Sequence, residues 1–228
     1  MTNDLPSSAD SNVMDKHPRI GPPDVQRACR ARLWGLLETY QLSPESRGLR
    51  ISNDALGSRG WQVQFMRDYQ LTNPYLDPSF GIEGREHLSR DEIAAREEAM
   101  LGPLARAARD MGAGHFIALA MDPDRNEETA VWRLPITARA IVDFFNGHII
   151  GGWSLLVPEG DGFAVLKDND IFAVLAGPPD LLRRALPPVW QGLDWMAEVI
   201  DDVEGDVGYG PGCLDDDVAH YRDFLLEG

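Results

Sequence analysis

Five short apolar segments lie between residues 114 and 176, separated by turn-forming residues, and they limit the possible folds more than any other feature of the chain. His115–Met121 (HFIALAM) is a continuous apolar run of strand length. Across the polar loop DPDRNEE, Thr129–Leu134 predicts a strand paired with it. Ile149–Val157, Phe163–Lys167 and Ile171–Ala176 follow, joined by PEGDG and by Asp168-Asn169-Asp170. Connections this short predict hairpins, so these three strands should form an antiparallel meander. Gly151-Gly152, inside the first of them, marks a bulge or a close backbone approach. Between the pair and the meander, Thr137 is placed to cap a short helix burying Ile141, Val142, Phe144 and Phe145, with Asn146-Gly147 at its end.

Helical signals bracket this strand-rich middle. Pro22-Pro23-Asp24 is a helix start, and Val25, Cys29, Leu33, Leu36, Leu37 and Tyr40 recur at helical spacing, predicting a helix over 24–41 with Cys29 on its buried face. Residues 43–60 and 72–87 read as loops, and Trp61, Val63 and Phe65 alternate as in a half-buried strand. Ser89-Arg-Asp-Glu92 is a capping box opening a helix that reaches Gly112, which Gly102-Pro103 should kink or split. After Gly177-Pro-Pro179 come helices over 180–186, 189–203 and 215–226. The expected class is α+β: a central, mainly antiparallel sheet (strands about 114–176) flanked by N-terminal and C-terminal helices. Residues 1–22, rich in Ser, Asn, Asp and Pro, read as a flexible leader; 23–228 reads as one domain, with a subdivision near 112 as the alternative.

Charge is distributed unevenly. Residues 23–112 hold thirteen acids and twelve arginines, whereas ten of the sixteen net negative charges fall in the last thirty-five residues. An acidic chain of pI near 4.6 argues against direct nucleic-acid binding, which needs a basic patch. No apolar run approaches the roughly 18 residues of a membrane span, and two cysteines far apart imply no disulfide framework, so a cytoplasmic protein is expected.

Motifs for catalysis are sparse. None of the five histidines belongs to an H-E-x-x-H or H-x-H pattern, and no G-x-S-x-G occurs. Gly208-Tyr-Gly-Pro-Gly212 follows a helix instead of a strand and lacks a following lysine, so it reads as a connection. Cys213 and His220 are too far apart for a dyad, and the surrounding acids would raise the thiol pKa. Asp216 and His220 share a helix face, with Asp201 and Asp202 nearby in sequence, but acids in a first helical turn are explained by the dipole alone. No cofactor and no metal site are expected.

The reading that follows is a non-catalytic, acidic protein-binding module. Its candidate partner-binding residues are Asp201, Asp202, Glu204, Asp206, Asp215, Asp216, Asp217, Trp195 and Tyr209. The expected partner is a basic protein, such as a toxin or enzyme, which the chain would neutralise as bacterial immunity proteins do; this is a likeness of physical type, through charge steering. The alternatives are an enzyme with a scattered, metal-dependent site near Asp216 and His220, and a structural or adaptor protein whose acidity serves solubility.

Overall fold

The computed structural model describes residues 17–43, 46–81, 87–121, 130–147, 152–168, 172–205 and 210–227. The fold is α+β. A six-stranded antiparallel sheet has the order β3-β8-β7-β6-β4-β5. Its strands are β3 (Gln62–Arg67), β4 (Phe116–Met121), β5 (Val131–Leu134), β6 (Trp153–Pro158), β7 (Ala164–Asp168) and β8 (Phe172–Gly177). The expected β4–β5 pair and the β6-β7-β8 meander are both present. The close backbone approach expected at the glycine pair is present at Gly152, where a Cβ would lie 2.9 Å from the Met121 carbonyl oxygen. Gly151, like the Asn169–Asp170 turn, lies outside the described residues.

Both faces of the sheet are covered, which is why β6 and β8 are buried throughout and, Ser154 apart, apolar. One face carries Phe65 and Trp153. It meets a two-stranded hairpin, β1 (Leu37–Ser43) and β2 (Ser46–Ile51), and the helix α8 (Asp215–Tyr221). There Trp153 packs edge-on against Tyr40, and Phe65 against Tyr221. On the opposite face, buried Lys167 pairs with Asp68 of α3 (Asp68–Thr72) at 2.9 Å. That layer continues through α4 (Arg90–Asp110), α5 (Ala138–Gly147) and α6 (Pro179–Ala185), which pack on one another. The capping box of α4 forms as read: Ser89 Oγ accepts from the Glu92 amide, and the Glu92 carboxylate accepts from the Ser89 amide at 2.8 Å. Thr137 likewise caps α5, accepting from the Ala140 amide.

Neither edge of the sheet is bare. The Arg133 amide donates to Pro18 O at 2.8 Å and the Ile20 amide to Val131 O at 2.9 Å, so residues 18–20 cover β5. At the other end the Leu226 amide donates to Val63 O at 2.9 Å, and Trp195 Nε1 to Phe65 O at 3.2 Å, covering β3. An uncovered edge would template pairing with another chain.

Four expectations about the N-terminal half are corrected. First, the helix expected over 24–41 is α1, Pro23–Trp34, and it stops at Gly35. Leu36 and Leu37 belong to the turn and to β1, because strand pairing buries Leu37 opposite Ile51. The stripe is also displaced: Val25 is exposed, Gln26 buried and Cys29 half-buried. Second, the loop expected over 43–60 contains β2 and a helix, α2 (Asn53–Arg59). Ser52 Oγ caps α2 by accepting from the Ala55 amide, and left-handed Gly60 (φ 60°) ends it. Third, of the kink or split expected at Gly102-Pro103, the split is absent: Pro103 lies within one continuous α4. Burial of Met100, Leu101, Leu104, Ala105 and Ala108 along one face outweighs the roughly 3 kcal/mol of an interior proline. Fourth, the end of the expected leader is tied down on β5 through residues 18–20; residues 1–16 lie outside the described ones.

Candidate functional site

The acidic C-terminal region is organised by α7, Gly192–Glu204. Gln64 of β3 fixes its start, accepting from the Gly192 amide at 2.9 Å and donating to the Gly192 carbonyl at 3.4 Å. Trp195, Val199 and Val203 turn inward. Asp194, Glu198, Asp201 and Asp202, spaced i, i+4, i+7, i+8, share the exposed face. Asp202 is held by Arg67, Oδ2 to Nε at 3.0 Å, and the same guanidinium donates to the Glu198 carbonyl at 3.2 Å. Asp194, Glu198 and Asp201 have no ion pair among the described residues.

Two further features of this face are visible. The last turn of α7 carries Asp201, Asp202 and Glu204 with no base. A carboxylate there opposes the helix dipole by about 0.3–1 kcal/mol, so the dipole does not account for these three acids. In addition, Val189 and Leu193, 59% and 49% exposed, flank its N-terminal end. They are two of only four exposed large apolar side chains among the described residues, the others being Val25 and Met111.

The remaining sequence candidates separate into inside and outside. Glu204 is occupied structurally: its Oε1 accepts from the Gly212 amide at 2.8 Å, tying the end of α7 to the turn before α8. Asp215 and Asp216 are exposed in the first turn of α8. Asp206 and Tyr209 lie outside the described residues. Trp195 is buried, stacked near Trp190 and covered by the Arg67 guanidinium 4.7 Å from its ring centroid, so it offers a partner no surface. Asp217 is buried as well. Its Oδ1 accepts from Arg50 Nε at 2.7 Å, and Arg50 lies 3.6 Å over the Tyr40 ring. Burial pushes the Asp217 carboxyl above the usual carboxylate range despite that arginine. Both residues leave the docking set because packing claims their polar atoms.

His220 is equally committed. Its Nε2 is 2.9 Å from Ile51 O and its Nδ1 3.4 Å from Glu38 Oε1, so the ring joins α8 to the hairpin instead of facing Asp216. No three His, Cys, Asp or Glu side chains come together as a metal-ligand set among the described residues. Cys213 is exposed, and its thiol pKa is raised, first by desolvation and then by Glu204. No described helix is long and apolar enough to cross a membrane.

Asp194, Glu198, Val189 and Leu193 were absent from the sequence-derived set. The i, i+4, i+7, i+8 spacing of the acids was the available signal for the first two; exposure of the apolar pair is set by tertiary packing. Comparison with protein-family models, curated proteins and solved structures gives no match, so the functional reading rests on geometry.

Proposed function

We propose that the chain is a non-catalytic binding module that docks a basic protein through the outer face of α7 and the adjoining start of α8, acting as an inhibitor or immunity protein against a basic toxin or enzyme. The observation that supports this most is the set of three unpaired, exposed carboxylates, Asp194, Glu198 and Asp201, beside the exposed Leu193 and Val189. Apolar contacts supply affinity at an interface while charges of one sign raise the association rate and reject like-charged partners. The exposed acids of α8, Asp215 and Asp216, extend the same negative field.

The test uses the full chain as bait in native lysate, against D194N/E198Q/D201N and against L193S. The reading expects a basic protein retained by wild type, lost from the charge variant at low salt and weakened by L193S. Equal recovery by all three baits would refute it.

A further inference from the structure

At the opposite edge of the sheet from α7, a cavity of about 680 Å³ opens between α1 and the β4–β5 end. Arg19, Arg32, Arg133, His115, Cys29 and Glu159 line it, with Val25 and Ile117 among its apolar walls. They come from distant segments: Arg19 from the strip covering β5, Cys29 and Arg32 from α1, Arg133 from β5, His115 from just before β4 and Glu159 from just after β6.

Three guanidiniums around one cavity are notable in a chain of net charge −16. Both nearby acids already have partners. Arg32 Nη1 pairs with Asp161 Oδ2 at 3.1 Å, where Asp161 adopts a left-handed turn conformation (φ 53°). The Glu159 carboxylate accepts from the Gly114 amide at 3.0 Å and lies 3.1 Å from His115 Nδ1. Arg19 and Arg133 are exposed and have no ion pair among the described residues. The His115 side chain is nine-tenths buried, and its Nε2 has no hydrogen-bond partner. Arg19 and Arg133 therefore have no ion-pair partner among the described residues, and with Glu159 as the one carboxylate in the wall a net positive charge remains around a concave, partly apolar space of the size that holds small organic ligands. Guanidinium presents its N–H groups as a planar fork that fits carboxylate and phosphate oxygens.

We propose that this cavity binds a small organic anion, a carboxylate or phosphate ester, with its charged group on Arg19 and Arg133 and its apolar part against Val25 and Ile117. The site is independent of the α7 face, so its failure leaves the docking reading untouched.

The half-buried Cys29 thiol in the wall locates binding directly. The full-length protein is titrated with phenyl phosphate, benzoate and neutral benzyl alcohol by calorimetry, and iodoacetamide labelling of each cysteine is followed by mass spectrometry. An anion in the cavity should slow Cys29 labelling about fivefold once it exceeds its Kd several-fold. Exposed Cys213 serves as the internal control and should label at an unchanged rate. Protection by phenyl phosphate alone assigns a phosphoryl ligand, and protection by benzoate alone or by both assigns a carboxylate or a general anion site. Arg19→Gln and Arg133→Gln should each weaken binding about tenfold, the loss of one charge-assisted contact, with melting of the free protein unchanged. Three results would overturn the proposal. They are no protection by either anion up to about 100 mM at constant ionic strength, roughly tenfold above the Kd of about 10 mM that two tenfold contacts give; equal protection by benzyl alcohol; and undiminished binding in R19Q/R133Q.

Discussion

Replacing Asp217 by alanine removes one half of a buried ion pair and leaves the other half in place. Arg50 Nε and Asp217 Oδ1 are 2.7 Å apart, with side chains only 10% and 7% exposed, so solvent screens them little. Alanine would leave a buried guanidinium without its counter-charge, which in comparable sites costs about 3–5 kcal/mol. For a domain of this size each kcal/mol moves the melting temperature by about 2–4 °C, so a fall of roughly 10 °C is expected. The raised Asp217 carboxyl shows that Arg50 does not fully offset desolvation. Replacing both residues by apolar ones, R50M/D217L, should therefore recover most of the loss. Urea unfolding with Asp216→Asn as the neighbouring exposed control makes the comparison internal, since that change should cost no more than about 1 kcal/mol. If Asp217→Ala lost no more than Asp216→Asn, the assignment of Asp217 to packing instead of docking would fail.

Deleting residues 1–22 should cost about 2 kcal/mol more than deleting 1–16, since only the longer cut removes the two backbone bonds that cover β5; equal unfolding midpoints for the two truncations would contradict this. Ser52→Ala should destabilise by about 1 kcal/mol through loss of the α2 cap, as read by urea denaturation, whereas a neutral result would mean that the Ala55 amide finds another acceptor. Desolvation lowers the His115 pKa, with Arg133 acting in the same direction and Glu159 against it. A folded-state pKa depressed below the ordinary 6.5 favours the neutral ring, so its contribution to stability is present above pH 6.5 and lost as pH falls through the folded value. Melting temperature should therefore fall between pH 7 and pH 5 by more in wild type than in His115→Gln, and parallel curves would contradict the assignment.

Much of the sheet was legible because strand length and turn chemistry are local. His115–Met121, Thr129–Leu134 and the three strands after Ile149 each carry their own boundaries in proline, glycine and acidic turn residues. The N-terminal half was less so, for two different reasons. At residues 52–60 the signals were present, a Ser cap and a terminal glycine, but the intervening SNDALGS is too weakly apolar to stand out as a helix. At residues 36–41 the spacing of Leu36, Leu37 and Tyr40 satisfies a helix as readily as a strand, and only pairing with Leu49 and Ile51 decides. The acidic end was visible as a count of charges, not as a surface. Asp217 looks like its exposed neighbours Asp215 and Asp216 in sequence, and Arg50, more than a hundred residues away, holds it inside, while Trp195 is drawn in by the Phe65 carbonyl and by Trp190. The cavity beneath α1 had no sequence signal, because its arginines come from segments that meet only in the fold.

The docking reading is tested most directly by the association rate of the basic protein recovered with wild type, measured across a salt series against wild type and D194N/E198Q/D201N. Among the described residues these three carboxylates are free of ion pairs, unlike Asp202, and none holds a turn as Glu204 does, so neutralising them should leave the melting temperature within about 1 °C. Near 10 mM salt the variant should associate at least about tenfold more slowly than wild type, and the two rates should converge as the Debye length contracts to about 8 Å near physiological salt. Equal association rates at low salt, with folding intact, would show that the acidic face of α7 is only solvated surface.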